Sequence, residues 1–210
     1  MDQENQTKTE TKIVIIGGFL GSGKTTAIIE IGKILSSAGK KIAYFTNEIG
    51  EIVLDGNLMS YDIETQEVTM ACISCNIKEA VSSAVSRLIE TAAPDILIIE
   101  PRENISPLVV KDELEKASLK ANCEEYQFMP HFTFIDGTAF FKNVKEKKKV
   151  AVDQILVSEI IVLNKTDLMK KSEIEMIRES IRQMNPTVEI IENNYKNESG
   201  LKKIIEIIGN

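Results

Sequence analysis

Cysteine is scarce: three residues in 210, two of them close together, cannot build the disulfide scaffold of a small secreted domain. Apolar runs are short, and none approaches the roughly 18 residues a helix needs to span a bilayer. The N-terminal MDQENQTKTE has no apolar core of the kind a signal peptide carries, so residues 1–11 read as a loose polar tail. Basic residues are outnumbered 25 to 32, and a formal net charge of −7 argues against a general nucleic-acid binder, whose affinity comes from Lys and Arg on phosphates. No internal repeat and no linker interrupts the chain. These absences lead to an expectation of a cytoplasmic protein with no membrane and no nucleic-acid partner.

What is present is enough apolar residue, 43% against 27% charged, for one globular domain over residues 12–210. Short β-branched runs alternate with helical periods. Strands are expected at Lys12–Ile16, Lys41–Thr46, Ile96–Glu100, His131–Ile135, Ile160–Leu163 and Val188–Ile191. Runs such as Ile13-Val14-Ile15-Ile16 and Ile96-Leu97-Ile98-Ile99 suit parallel strands buried on both faces. Helical stripes follow at Ile77, Ala80, Val81, Ala84, Val85, Leu88 and Ile89, more sparsely at Ile174, Ile177, Ile181 and Met184, and again at Leu201, Ile204, Ile205 and Ile208. The alternation predicts an α/β fold: a mostly parallel sheet with helices on both faces. Asn47–Met70 is the longest stretch without periodicity, a length usual for functional loops.

Gly18-Phe19-Leu20-Gly21-Ser22-Gly23-Lys24-Thr25 matches G-x-x-x-x-G-K-[ST] in full, where a strand ends and a helix begins. Gly18, Gly21 and Gly23 let backbone N–H groups turn inward around phosphates, with Ser22 between them, and the helix that runs on through Thr26 aims its positive end at the same anion. Lys24 is placed for the β- and γ-phosphates and the Thr25 hydroxyl for Mg²⁺. Asn164-Lys165-Thr166-Asp167 follows an apolar strand. A carboxylate at Asp167 accepts from the adjacent N1–H and 2-amino groups of guanine, a donor pair adenine lacks, while Asn164 and the Lys165 stem support base and loop. The fold class is therefore a single P-loop NTPase domain, with GTP as the expected ligand. In Asp95-Ile96-Leu97-Ile98-Ile99-Glu100 the two acids are roughly 16 Å apart along the strand. Only Glu100 lies level with the loop, so it is the candidate carboxylate for the Mg²⁺ shell, through water, and Asp95 is expected to cap the other end.

These residues, with Asn47-Glu48-Ile49-Gly50-Glu51 and Leu54-Asp55-Gly56, resemble the CobW-type metal-chaperone GTPases of the SIMIBI class, relatives of UreG and HypB. Gly18–Thr26 repeats the family's loop GFLGSGKTT, Asn164–Leu168 resembles its NKxDL, and Asn185-Pro186-Thr187 its NP[TS] turn. The resemblance implies a GTP-gated metal site that serves a client metalloenzyme or corrinoid protein. It likens Asn47–Gly56 to switch I, with Asp55 as a contributor to the Mg²⁺ or attacking-water shell. The family's G-C-x-C-C aligns with Ala71-Cys72-Ile73-Ser74-Cys75, so the middle cysteine is Ser74. Cys72 and Cys75 keep a C-x-x-C ahead of a helix: they can share Zn²⁺ (or Co²⁺), form a redox pair, or be plain thiols. Glu48 is the first candidate for a further ligand; Cys123 and His131 are weaker ones, read first as a plain thiol and a structural histidine.

Other departures bear on mechanism. After Glu100 the family has Thr or Ser and then Gly, whereas this chain has Pro101-Arg102-Glu103. Pro101 has no N–H with which to sense the γ-phosphate, and Arg102 is either a charge supplied in cis or a surface ion-pair partner. The sequence ends at Asn210, and the expectation is a short form without the C-terminal domain of longer family members, in which a partner or a nucleotide-dependent second copy completes the site. The basic run Lys145–Lys149 reads as a solvated helix face before it reads as a docking surface. The leading expectation is a slow, Mg²⁺-dependent GTPase acting as metallochaperone or maturation factor. A metal-independent regulatory GTPase is the alternative, and an ATP-using kinase of the same fold is disfavoured by Asp167.

Overall fold

Thr11–Gly18 form strand β1, one residue longer at its start than expected, in a computed structural model that describes residues 10–46, 52–54, 85–86, 88–102, 105–121, 126–146, 148–194 and 199–209. β1 is followed by helix α1 (Lys24–Ser37), β2 (Ile42–Thr46), β3 (Ile52–Leu54), helical residues 88–92 (α2) and β4 (Ile96–Glu100). Then come α3 (Pro107–Ala121), β5 (Tyr126–Phe128), β6 (Phe132–Asp136), α4 (Phe140–Glu146) and α5 (Lys148–Val157). The chain closes with β7 (Ile160–Asn164), α6 (Lys171–Met184), β8 (Glu189–Glu192) and α7 (Ser199–Gly209).

The strands form one sheet in the order β3-β2-β4-β1-β6-β7-β8. Every pairing is parallel except β2 with β3. β1 is central: β4 runs along one side, while β5 and then β6 share the other. Pro130 separates those two because it has no N–H for the ladder, although Met129 N still donates to Ile13 O at 2.9 Å. β3 and β5 were not expected. At three residues each they are too short to show a period, and only pairing with β2 and β1 makes them strands.

The unbroken apolar run of β1 feeds two cores at once. Val14 and Ile16 pack with Ala27, Ile28, Ile31 and Leu35 of α1 and Leu201, Ile204 and Ile208 of α7. Ile13 and Ile15 face the other way, toward Val85, Leu88, Ile89 and Leu114. Ile13, Ile15 and Ile16 of β1 are each at most 1% exposed, a burial worth about 1.5–3 kcal/mol per side chain. A third cluster joins Ile161 and Leu163 of β7 to Ile174, Ile177 and Ile181, the expected stripe of α6. Asp95 ties strand starts together, as expected, with Lys41 N donating to Asp95 Oδ2 at 2.7 Å. Among the described residues no helix is long and apolar enough to cross a membrane.

Candidate nucleotide site

The carboxyl ends of β1, β2, β4, β6, β7 and β8 collect on one edge of the sheet, where open α/β sheets hold ligands. Between β1 and α1 the backbone takes φ of +131° at Gly18, +74° at Gly21 and +92° at Gly23, the N-cap of α1. Side-chained residues rarely adopt these angles. At Gly18 a Cβ would also collide with the Phe134 carbonyl, whereas beside Gly21 nothing lies within 4 Å. The loop is thus packed against β6 at its root and open at its crest. No acidic residue sits in the first turn of α1, so its positive end stays available to an anion. Ser22 Oγ is buried with no hydrogen-bond partner among the described residues, a donor in a phosphate-type loop that fits a triphosphate.

Lys24 is only 5% exposed. Its ammonium donates to Phe19 O at 3.0 Å and lies 3.8 Å from Glu100 Oε1. The Thr25 hydroxyl donates to the same carboxylate, 3.1 Å from Oε1 and 3.2 Å from Oε2. A hydroxyl at the start of α1 and an acid at the end of β4 are the hard oxygen donors that suit Mg²⁺. Sequence reasoning brought these three residues to one place, and the fold does so too. Tyr44 was not foreseen: its hydroxyl donates to Glu100 Oε2.

The guanine-type motif is fastened to the phosphate loop. Asn164, fully buried at the last position of β7, donates from Nδ2 to Ser22 O at 2.8 Å. Lys165 takes a left-handed conformation at φ 62° and reaches Gly21 O at 2.7 Å and Asp136 Oδ2 at 2.6 Å. Thr166–Leu168 form a single 3₁₀ turn that carries Asp167, partly exposed. Behind the motif stands Asn193, fully buried just past β8. Its Nδ2 donates to Asn164 Oδ1 at 2.9 Å, its N–H to Leu163 O at 2.9 Å, and its carbonyl accepts from the Thr166 hydroxyl at 3.0 Å.

Asp136 and Asn193 escaped the sequence reading, although both stand at strand carboxyl ends, the one signal that could have found them. Burial pushes the Asp136 carboxyl up, but the Lys165 ammonium and the Thr138 donors outweigh it and hold it below its ordinary value. His131 lies at the opposite end of β6, 1% exposed, with Nδ1 2.6 Å from Glu159 Oε2. Burial pushes Glu159 up, and its bonds and charge contacts with His131 and Lys111 more than reverse this. His131 is thereby held by Glu159 at the end of β6 away from the loop. Among the described residues no group of three or more His, Cys, Asp or Glu is placed to hold a metal. Glu48, Asp55, Cys72, Cys75, Glu103 and Cys123 lie outside the described residues, as does most of the switch-like stretch. Pro101 is buried directly after Glu100, and Arg102 is half-buried.

The parallel sheet, the glycine loop and the Lys24-Thr25-Glu100 cluster define a P-loop nucleotide-binding domain. Residues 12–192 match the model of the family described as CobW/HypB/UreG, nucleotide-binding domain. The chain belongs to that family. It is 26% identical to zinc-regulated GTPase metalloprotein activator 1 of Dictyostelium discoideum, over 85% of this chain and 45% of the relative. It is 25% identical to the zinc chaperone CobW of a Sinorhizobium species, over 80% of this chain and 54% of the relative. The chain spans about half the length of the curated relatives it matches. The hydrogenase maturation factor HypB of Archaeoglobus fulgidus shares the fold, with a TM-score of 0.63 at 22% identity over 95% of this chain and 89% of that one.

Proposed function

We propose that this chain is a GTP-hydrolysing switch that acts as a metallochaperone or maturation factor for a client metalloenzyme or corrinoid protein. The observation that carries the nucleotide reading is the seating of Asn164 and Lys165 on the carbonyls of Ser22 and Gly21 at 2.8 and 2.7 Å. That contact ties the two motifs into one unit, which supports a ligand that presents guanine and phosphates together. In this reading Gly18, Gly21, Ser22, Gly23 and Thr26 supply the amide cradle, Asp167 accepts from the guanine edge, and Lys24 holds the β- and γ-phosphates. Thr25 and, through water, Glu100 would hold Mg²⁺, which when bound would neutralise charge on the phosphate oxygens. Water adds to the γ-phosphorus, the bond to the β–γ bridging oxygen breaks, and GDP, inorganic phosphate and a proton leave. Asp55 is the residue likened to a contributor to the Mg²⁺ or attacking-water shell. With no evident general base, turnover is slow unless a metal or partner stimulates it.

The delivery half of the proposal rests on Cys72 and Cys75, with Glu48 as further ligand for Zn²⁺ or Co²⁺. The names of the relatives, zinc chaperones and zinc-regulated activators, support the choice of zinc. Purified protein titrated with Zn²⁺ and Co²⁺ should bind tighter with GTP·Mg²⁺ than with GDP, and Cys72→Ser/Cys75→Ser should abolish the difference. Equal affinity in protein and double variant refutes delivery. The buried Pro101, which has no N–H to sense a γ-phosphate, favours a second reading: a regulatory GTPase that moves a partner without carrying metal. Nucleotide-dependent, metal-independent capture of a client enzyme would select that reading.

A further inference from the structure

Glu100 has a neighbour that the chemistry above leaves unused. Tyr44 sits opposite Ile98 in the β2–β4 register. Side chains two positions apart on a strand share a face, so the Tyr44 ring and the Glu100 carboxylate lie on the side of the sheet covered by α1. Tyr44 is 8% exposed and Glu100 3%. Donors converge on this buried carboxylate from two directions: Thr25 and Lys24 from the first turn of α1, and the Tyr44 hydroxyl from β2. The ring belongs to the main core, beside Ile42 and Ile98. Packing alone would be served by Phe, which carries no hydroxyl to satisfy. In this fold the hydroxyl donates to Glu100 Oε2.

We propose that Tyr44 is a positioning residue for Glu100: its hydroxyl bonds Oε2 from β2 while Thr25 and Lys24 engage the carboxylate from α1, and together they set its orientation for the Mg²⁺ shell. The inference rests on the assignment of Glu100 to the Mg²⁺ shell. It also links strand and ion, because β2 ends at Thr46 and the chain runs directly into the stretch likened to switch I. A glutamate held only from α1, by Thr25 and Lys24, can still swing about its own side-chain torsions. A further tether from β2 limits that swing, so the carboxylate is set before the ion arrives.

The test uses the full chain saturated with a hydrolysis-resistant GTP analogue and titrated calorimetrically with Mg²⁺. Tyr44→Phe, Glu100→Gln and the double variant are compared with wild type, and analogue affinity is measured separately in EDTA. Tyr44→Phe should weaken Mg²⁺ binding roughly five- to tenfold, less than the full value of a hydrogen bond to a charged group because the effect reaches the ion through Glu100. Its analogue affinity in EDTA should stay within about twofold of wild type. The double variant should be no weaker than Glu100→Gln alone, the non-additivity expected of residues acting through one another. If Glu100→Gln weakens Mg²⁺ binding while Tyr44→Phe does not, the positioning role is overturned and the role of Glu100 stands. If Glu100→Gln leaves Mg²⁺ binding unchanged, the assignment of Glu100 falls and the Tyr44 role with it. Equal losses for Tyr44→Phe with Mg²⁺ and in EDTA would reveal general disruption and overturn the proposal.

Discussion

Replacing Gly200 by Ala should destabilise this domain, although helix propensity alone says the opposite. Gly200 is the second residue of α7, where Ala would gain at most about 1 kcal/mol over Gly. A Cβ there would stand 2.6 Å from both Asn193 Cβ and Asn193 Oδ1 and 2.7 Å from Glu192 O, distances real Cβ atoms do not adopt. Two of those atoms are not the ends of flexible chains, so Asn193 must move as a residue. Such crowding costs about 1–3 kcal/mol. Moving Asn193 also breaks its 2.9 Å bond to Asn164 Oδ1, which adds about 1 kcal/mol. The expected net loss is about 2 kcal/mol, a fall in Tm of about 4–8 °C for a domain of this size. Thermal unfolding of the nucleotide-free protein by circular dichroism measures it, and GTP affinity should drop alongside because Asn164 loses its anchor. A Tm at or above wild type would refute the reasoning, since propensity would then have outweighed the contact.

Three further outcomes are expected. Lys24→Ala should reduce GTP hydrolysis at least a hundredfold, because a buried cation aimed at developing phosphate charge is lost; single-turnover kinetics within tenfold of wild type would contradict the site. Asp167→Asn should weaken GTP binding by roughly two orders of magnitude or more and leave ATP binding untouched, since an amide cannot accept from both guanine donors; competition binding decides. The Asp136 carboxyl is held below its ordinary value with Lys165 as partner. A carboxylate depressed on folding contributes stability above its unfolded value of about 3.9 and loses it as pH falls through the lower folded value. Unfolding free energy should therefore fall below about pH 4 in wild type, and Asp136→Asn should flatten part of that slope in denaturant titrations.

All six expected strands are present, because each is a short run rich in β-branched or aromatic residues. The phosphate loop was legible too: its glycines, lysine and threonine lie within the single short stretch Gly18–Thr25, so their spacing alone marks the loop. β3 and β5 were not legible, being three-residue segments whose state depends on a neighbour's ladder. Asp136 and Asn193 stand at strand ends, but nothing in a linear reading says that they meet Lys165 and Asn164. Tyr44 lies inside an apolar run, and the value of its hydroxyl emerges only once β4 is laid beside β2.

By itself the sequence determined the local motifs of this protein: a glycine-rich loop between strand and helix, the Asn164–Asp167 stretch after a strand, and an acid at one strand's end. These depend on residues adjacent in the chain, where covalent spacing sets geometry. Only the tertiary structure decided that Asn164 and Lys165 rest on Ser22 and Gly21, that Asn193 and Gly200 stand behind them, and that Tyr44 meets Glu100. Those contacts join segments up to more than a hundred residues apart, and such pairings are chosen by the order and register of buried strands rather than by any local preference.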